Sequence, residues 1–321
     1  MQNLQHATTA ISRAQGCLLG QFAGDSLGGL VEFQRPESIL LRYPNGVTEL
    51  ADGGTWDNVA GQLTDDSEMA LMLARCLVTK GTYTPESAFE AYVQWKNSHP
   101  FDMGYATRSA LSGSPNPDTQ ANGALMRISP LGIFGTQYPA ETVAQWADAD
   151  AALTHPNAVP RAASVLFAMA IAHVIRTGRT AQELYDQIVL WAHERNAPDT
   201  LLTVISAAAT QRPTTYIHQQ GWVLIAFQNA LWQLLHADSF RNGVQDTVMQ
   251  GGDTDTNAAI CGALLGAVYG REAVPQSWID ALLQCRPSAD NPRTRHPRPE
   301  IFWPVDVLSL ATNLLEHSPT Q

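Results

Sequence analysis

Carboxylate and hydroxyl side chains form two short clusters, each at the predicted start of an apolar helix. The later cluster, residues 253–256 (DTDT), follows two glycines and precedes an apolar run rich in alanine and glycine. Such groups cap free N–H groups at a helix start, where the helix dipole also favours carboxylates. Capping needs only one of the four groups, and oxygen-only ligands suit Mg²⁺, Mn²⁺ or Ca²⁺. Two interpretations are therefore open, an ordinary N-cap or a hard-cation site.

The earlier cluster, Thr64, Asp65 and Asp66, opens a second helix with an apolar stripe within residues 61–78. Glu68 stands at the spacing of a capping box with Asp65, which explains one acid and leaves the other unexplained. Adjacent helical side chains diverge by about 100°, so the two aspartates would reach different ions or bridge a pair from one edge. Two dications about 3.5–4 Å apart, shared by carboxylates, are a recurrent catalytic arrangement. A metal pair would explain both clusters at once.

Three further acids have ordinary interpretations when each is taken alone. Asp25 lies among the glycines of the first predicted helix, and Glu32 follows a Gly-Gly break. A surface cap and a loop acid are favoured for these two positions. Asp102 lies in a loop flanked by proline and glycine, which favours an N-cap or a turn acid. The residues alone therefore do not assign these acids to a site.

Arg127, His155 and Trp222 could bind a ligand or serve the core. Arg127 lies in an apolar segment and needs a partner, for which a structural carboxylate is favoured over a ligand anion. His155 lies in a break between helices and could be a capping or core histidine. Trp222 stands at the start of an apolar helix, where a core position is favoured over a ligand platform. These residues become candidates only through further information.

Small residues recur at every fourth position in the two helices that would carry much of this chemistry. Glycine costs about 1 kcal/mol per helix position relative to alanine, so close packing or function must offset that cost. The spacing puts each set on one helical ridge, where another backbone can come close. The first set is Gly16, Gly20, Gly24 and Gly28, and the second is Ala258, Gly262, Gly266 and Gly270.

Helical patterns continue along the rest of the chain, and no alternating run suggests a sheet. Pro130 is expected to break a short helix within residues 124–134. We therefore predict an all-α fold in a single domain over residues 1–321, with residues 1–12 as a flexible N-terminal segment. Further helices are predicted at 84–96, 141–153, 160–177, 180–195, 199–210, 221–236 and 305–316.

Composition limits the partners and the compartment. A formal net charge of −11 makes nucleic acid an unlikely partner. Four cysteines without metal-type spacing, three of them in apolar helical patterns, predict buried free thiols and a reducing, cytoplasmic compartment. We expect no signal peptide, because the first residues lack a basic start and an apolar stretch. No apolar run approaches the ~18 residues that would span a bilayer, so no membrane association is expected.

Five segments together resemble the motifs of the ADP-ribosylglycohydrolase family, of the dinitrogenase-reductase-activating glycohydrolase type. The resemblance covers roughly residues 13–275, and the joint order and spacing are specific. The family's metal motifs are similar to LTDDSEMAL (63–71) and GGDTDTNAAICGALLGAVYG (251–270), and its N-terminal motif is similar to GCLLGQFAGDSLGGLVEF (16–33). Its ribose- and phosphate-contacting segment is similar to NGALMRISPLGIF (122–134), and its adenine-side helix to GWVLIAFQNALW (221–232).

The resemblance implies an all-α orthogonal bundle with a binuclear Mg²⁺ or Mn²⁺ centre. The implied reaction is hydrolysis of the bond between C1 of the distal ribose and a modified side chain. Glu32, at the position of the family's active-site glutamate, would orient ribose or assist proton transfer. Trp222 would stack on adenine, although the VLIAF that follows replaces a segment often carrying His or Thr. The implied metal ligands are Thr64, Asp65, Asp66, Asp253, Asp255 and Thr256, and Asn122, Gly123 and His155 would line the nucleotide cleft.

The segment FDMGYAT (101–107) resembles members that act on ADP-ribosyl-arginine, which would place Asp102 against the guanidinium. The expected function is therefore hydrolysis of ADP-ribosyl-arginine in a modified protein, with the acids at 32, 65, 66, 102, 253 and 255 as the catalytic set. Two alternatives are open. The linkage could be to serine or a nucleobase, or the protein could be an immunity protein that blocks an ADP-ribosyltransferase toxin by direct contact.

Overall fold

Helices joined by loops make up the protein, and the predicted all-α fold is confirmed. The structure, a computed structural model, describes the backbone of residues 2–317 and the side chains of residues 9–317. Within these residues the only β-type pairings are isolated bridges, not a sheet. The helices are α1 (Gln2–Gly28), α2 (Pro36–Arg42), α3 (Asp65–Lys80), α4 (Pro85–Asn97), α5 (Tyr105–Ala110), α6 (Ser129–Phe134), α7 (Ala140–Ala152), α8 (Ala158–Thr177), α9 (Ala181–Glu194), α10 (Asp199–Ala207), α11 (Val223–His236), α12 (Phe240–Met249), α13 (Thr254–Tyr269), α14 (Gln276–Gln284) and α15 (Val307–Glu316).

The two ridges of small residues pack against each other, so that α1 and α13 run antiparallel in close contact. A Cβ atom added to Gly20 would lie 2.1 Å from the carbonyl oxygen of Gly262, and one added to Gly16 would lie 2.4 Å from that of Gly266. At the other end, the Thr254 hydroxyl donates a hydrogen bond to the Gly28 carbonyl over 2.7 Å. The predicted close backbone approach is confirmed, and it brings the end of α1 to the start of α13.

A continuous hydrophobic core surrounds this pair and extends from Ala14 to Leu315. Helix α8 packs within the core and carries a long apolar run. The expectation that no apolar run is long enough to span a bilayer was wrong for this helix, which has the length and composition to do so. Within the protein, 78% of that stretch is buried, so its apolar side chains pack against neighbouring helices.

Two local predictions were wrong. Pro130 does not break a helix but occupies the first turn of α6, where its missing N–H would have no intrahelical partner. Residues 9–12 were expected to be flexible but belong to α1, and the hydroxyl of Ser12 accepts a hydrogen bond from the backbone N–H of Arg271 over 3.1 Å. The remainder of the predicted flexible segment, residues 1–8, lies outside the residues whose side chains are described.

Candidate active site

A cleft of about 350 Å³ opens where the end of α1 and the starts of α3 and α13 meet. Most of the predicted site residues are brought together here, although they come from six separate parts of the sequence. Three of the predicted residues, Thr64, Asp66 and Trp222, do not line the cleft. Those on its wall are Glu32, Asp65, Asp102, Asp253, Asp255 and Thr256, together with Asn122, Gly123 and His155.

The aspartates at the two helix starts are held by hydrogen bonds from outside their own helices or from the next residue. Asp65 Oδ2 accepts from the backbone N–H of Gly104 over 3.0 Å, at the start of α5. Asp253 Oδ2 accepts from Asn122 Nδ2 over 2.6 Å. Asp255 Oδ1 accepts from the backbone N–H that follows it over 2.9 Å. None of these acids serves simply as a surface cap, because all three are buried.

A second layer of acids lies beneath the cleft. The Thr64 hydroxyl is 3.0 Å from both Asp25 Oδ1 and Asp66 Oδ2, and Asp25 also accepts from the backbone N–H groups of Thr64 and Ser67 over 3.2 Å. Asp25 is completely buried, so its interpretation as a surface cap was wrong. Its position among small and apolar residues of a core helix was the signal that could have found it. Asp66 Oδ1 is buried without a hydrogen-bond partner within residues 9–317.

Glu32, Asp102 and Asp255 form a close group of acids. One carboxylate oxygen of each lies within 4.8 Å of the others. Glu32 is buried, so its interpretation as an ordinary loop acid was wrong. Its Oε2 accepts from Trp56 Nε1 over 2.8 Å, and the Trp56 ring packs 5.9 Å from that of Phe101, next to Asp102. The sequence did not indicate Trp56, because its partner is distant in the chain and the surrounding loop has no periodic pattern.

Burial raises the pKa of these carboxyl groups, and repulsion between them raises it further. The pKa of Glu32 is raised to about 8, that of Asp65 to about 6 and that of Asp102 to about 9. Burial is the largest cause in each case, and the negative charge of neighbouring acids contributes less. The pKa of Asp255 is raised well above its usual range for the same reasons. Within residues 9–317 no basic side chain pairs with any of these acids.

When these carboxyl groups are ionised, a bound cation would offset the repulsion between them. The side chains around the acids offer carboxylate, hydroxyl and amide groups, and none of the predicted metal ligands is a thiolate or an imidazole. Oxygen donors of this kind suit a hard divalent cation. The unpartnered oxygen of Asp66 fits the same interpretation, since a buried carboxylate oxygen otherwise keeps a hydrogen bond. The acidic cluster can therefore bind a metal ion.

Glu68 does not form the predicted capping box with Asp65. Its two carboxylate oxygens instead accept from Arg298 Nε over 2.7 Å and Nη2 over 2.8 Å, and Trp95 Nε1 donates to it over 2.8 Å. Arg298 also donates to the Ser98 carbonyl over 2.9 Å, at the start of the loop that carries Asp102. The buried bidentate pair is favoured over a helix cap because it neutralises the charges of both Glu68 and Arg298. The C-terminal segment thus supports the acidic side of the cleft.

Arg127 has the structural carboxylate that was favoured for it. Its Nε donates to Asp150 Oδ1 over 3.1 Å, and its Nη1 donates to the Thr154 hydroxyl over 2.8 Å. The same hydroxyl lies 2.8 Å from His155 Nδ1. His155 is a buried residue that also faces the cleft, so it is both a core histidine and a candidate for ligand contact.

Trp222 lies just before α11 and is partly buried, outside the cleft wall. Its Nε1 donates to Gln120 Oε1 over 2.9 Å, and the preceding Gly221 carbonyl accepts from the Asn122 N–H over 3.0 Å. Stacking of Trp222 on adenine stays a prediction. Two exposed aromatic residues on the cleft wall, Phe33 and Tyr105, were not indicated by the sequence.

Comparison with known proteins adds to this geometry. The sequence profile of the ADP-ribosylglycohydrolase family matches residues 6–313. The ADP-ribosyl-[dinitrogen reductase] glycohydrolase of Rhodospirillum rubrum is 30% identical, over 84% of this chain and 90% of its own length. The ADP-ribosylarginine hydrolase Tri1 of Serratia proteamaculans is 27% identical, over 86% of this chain and 76% of its own length.

A solved structure agrees in fold. A chain described as an ADP-ribosylglycohydrolase-related protein complex superposes with a TM-score of 0.79 at 26% identity, covering 97% of this chain and 99% of its own. The resemblance found in the sequence motifs is thereby confirmed over nearly the whole chain. The protein is an ADP-ribosyl glycohydrolase and belongs to the ADP-ribosylglycohydrolase family.

Proposed function

We propose that the protein hydrolyses the bond between C1 of the distal ribose and an arginine side chain of an ADP-ribosylated protein, with two Mg²⁺ or Mn²⁺ ions as cofactors. The observation that carries this proposal is the buried group of acids on the wall of one cleft. One relative supports the arginine linkage, since it is named an ADP-ribosylarginine hydrolase. Another, named for ADP-ribosyl-[dinitrogen reductase], supports a modified protein as the substrate.

The cations would be held by Thr64, Asp65, Asp66, Asp253, Asp255 and Thr256. Bound there, they would supply the Lewis-acid chemistry that activates water and orients ribose hydroxyls. The chain's own contribution is to keep these oxygens in place. The Gly104 N–H donates to one oxygen of Asp65, and the Asn122 side-chain amide donates to one oxygen of Asp253. Loss of such hydrogen bonds to metal ligands typically lowers metal affinity or activity by about 10–100-fold.

Glu32 would hold or move a proton. Trp56 Nε1 fixes its Oε2, which leaves Oε1 for the substrate. Burial raises its pKa to about 8, so this carboxyl group can carry a proton near neutral pH and return it. On the remaining wall, Asn122, Gly123 and His155 would contact the nucleotide, and Trp222 would lie on the adenine side.

Asp102 would select the arginine linkage. It is partly exposed on the cleft wall beside Glu32 and Asp65, and a guanidinium would offset the repulsion among these acids through parallel N–H bonds. A serine-linked substrate offers no comparable cation.

Replacement of Asp102 by asparagine is expected to lower kcat/KM on ADP-ribosyl-arginine by at least ~10-fold. Charge-assisted pairs contribute about 1.5–3 kcal/mol, and Asn keeps the size but not the charge. The affinity for free ADP-ribose should hardly change, because that ligand has no guanidinium. Steady-state kinetics and calorimetric titration measure the two quantities, with Asp118→Asn in an exposed loop as the matched control. An equal loss in both quantities would assign Asp102 a supporting role only.

Replacement of Asp255 by asparagine is expected to reduce turnover by at least ~10-fold through weakened cation binding. In chelator the same variant should melt at an equal or higher temperature than the wild type, because a buried acid that repels Glu32 and Asp66 is neutralised. Turnover assays and thermal melting of the same preparation test both statements. Wild-type turnover would remove Asp255 from the proposed site.

One assay separates the possible linkages. Release of ADP-ribose is measured from arginine-, serine- and nucleobase-linked substrates under identical conditions. The proposal expects the arginine-linked substrate to have the highest kcat/KM, and a preference for either other linkage would overturn it. We also infer a reducing compartment such as the cytoplasm, since all four cysteines are free thiols and three of them are buried.

A further inference from the structure

Three aromatic rings from distant parts of the sequence pack in a row next to the acids of the cleft. The Phe101 ring is stacked on that of His296, with centroids 4.7 Å apart and planes at 22°. The Trp56 ring lies 5.9 Å from that of Phe101, tilted by 58°. We call these three side chains the ring stack. None of them lines the cleft, so any effect on the reaction must pass through the residues that they hold.

The ring stack connects two acids of the cleft wall. At one end, Trp56 Nε1 donates to Glu32 Oε2 over 2.8 Å, and the hydroxyl of the preceding Thr55 donates to the Glu32 carbonyl over 2.8 Å. In the middle, Phe101 directly precedes Asp102 in the sequence. The carboxylates of Glu32 and Asp102 have oxygens within 4.8 Å of each other. A displacement of the rings would therefore change how these two acids face each other.

The C-terminal segment holds the ring stack from the side of His296. The His296 carbonyl accepts from Gln62 Nε2 over 2.7 Å, and Gln62 follows the loop that carries the indole ring. Arg298 Nη1 donates to the Ser98 carbonyl over 2.9 Å, and Ser98 begins the loop that carries the phenyl ring. One short segment thus contacts both loops and supplies the third ring.

The two loops have a constrained backbone close to their rings. Asp57, next to Trp56, and His99, two residues before Phe101, both adopt the left-handed conformation with φ of 56°. This conformation is uncommon for residues other than glycine, and it persists where the surrounding structure enforces it. The orientation of the two rings is therefore set by their contacts in the fold rather than by local preference.

We propose that Phe101 and His296 are positioning residues: the ring stack holds Trp56 against Glu32 and fixes the loop that carries Asp102, so that both carboxylates are aimed at the bond to be cleaved. The catalytic part of this inference rests on the proposed function, whereas the hold on Glu32 is a property of the free protein. Misplacement of a reacting group by about 1 Å can lower the rate by about 100-fold, so a loosened stack should be visible in the kinetics.

The first measurement compares His296→Leu, which removes the flat ring, with His296→Phe, which keeps one. His296→Leu should lower kcat/KM on ADP-ribosyl-arginine by at least ~10-fold, and His296→Phe should stay within ~3-fold of the wild type because stacking is kept. Phe101→Leu should show the same loss as His296→Leu and is the second variant if that one does not fold. His193→Leu, at an exposed position of α9, is the matched control. Equal kinetics of His296→Leu and His296→Phe would overturn the proposal.

A double-mutant cycle tests whether His296 acts through the indole. Trp56→Phe keeps a ring in the stack but deletes the donor to Glu32. In that background the loss caused by His296→Leu should be at least ~3-fold smaller than in the wild type, because the contact that it supports is already absent. Independent effects, with the same loss in both backgrounds, would contradict transmission through Trp56.

The last measurement needs no substrate. The indole N–H signal of Trp56 is identified in the NMR spectrum by its absence in Trp56→Phe, and its exchange with water is followed in the free protein. Exchange should be at least ~10-fold faster in His296→Leu and within ~3-fold of the wild type in His296→Phe, and equal exchange in the two variants would overturn the hold on Glu32. If exchange is as expected but the wild-type protein releases ADP-ribose from no linkage, the proposed function fails and the catalytic part falls with it.

Discussion

Exhaustive removal of divalent cations is expected to abolish hydrolysis of the ADP-ribosyl bond, and Mg²⁺ or Mn²⁺ is expected to restore it. The acids of the cleft have no basic partner within residues 9–317, and their oxygen donors suit hard cations better than Zn²⁺. Release of ADP-ribose is measured after chelation and again after each metal is added. Full activity in the chelated protein would contradict the metal requirement.

The chelated protein should also lose stability as the pH rises. Burial raises the pKa of Glu32 to about 8 and that of Asp65 to about 6, whereas unfolded carboxyl groups have a pKa of about 4. Between these values the folded state binds more protons than the unfolded state, so the free energy of unfolding falls with rising pH. This contribution is fully present below about pH 4 and is lost as the pH passes the folded pKa values. Thermal melting in chelator should show the fall, and added Mg²⁺ should raise the melting temperature more at pH 8 than at pH 5.

Replacement of Gly24 by alanine is expected to lower the free energy of unfolding by about 3 kcal/mol or more, at the upper end for overpacking. Helix propensity alone would predict a gain of about 1 kcal/mol. The added Cβ atom would lie 2.1 Å from the carbonyl oxygen of Ala258, however, and backbone cannot rotate away as a side chain can. The overlap therefore exceeds the propensity gain, and α1 must separate from α13.

Gly29→Ala is the matched control, because its added Cβ atom would meet only the Asp25 carbonyl oxygen at 3.5 Å and the Ser26 carbonyl oxygen at 3.9 Å. Its melting temperature should stay close to that of the wild type, while Gly24→Ala melts several degrees lower and loses activity. Similar melting of the two variants would mean that the close backbone contact is not essential.

Local patterns in the sequence were sufficient for most of the helices and for the two acidic helix starts, whereas α2, α12 and α14 were not predicted. Glycine at every fourth position of α1 predicted that another backbone would approach this helix. The partner is the similar ridge of small residues on α13. The same reasoning did not identify Asp25 as a buried residue of the site, although its position among small and apolar residues of α1 was a signal of burial. Its hydrogen-bond donors, the backbone N–H groups of Thr64 and Ser67, are distant in the sequence and are known only from the fold.

Long-range partners explain the other differences. Glu68 has the spacing of a helix cap, yet Arg298, 230 positions later, binds it with two hydrogen bonds. Trp56 lies in a turn-rich loop, where nothing local indicates that its N–H holds Glu32. In both cases the residue that donates hydrogen bonds to the glutamate is distant in the sequence. A local motif describes only hydrogen bonds between neighbouring residues, so it cannot indicate such a partner.

The pairing of the first helix with a late one has a consequence for synthesis of the chain. Gly28 and its partner Thr254 are 226 positions apart, so a ribosome working at about 5–20 residues per second needs roughly 10–45 s to produce the second after the first. During that interval α1 has no partner ridge, and Leu18 and Phe22, which are fully buried in the folded protein, lack part of their surroundings. The acids at the end of α1 can join those of α13 only after this step, so the catalytic cleft is completed only after the start of α13 has been made.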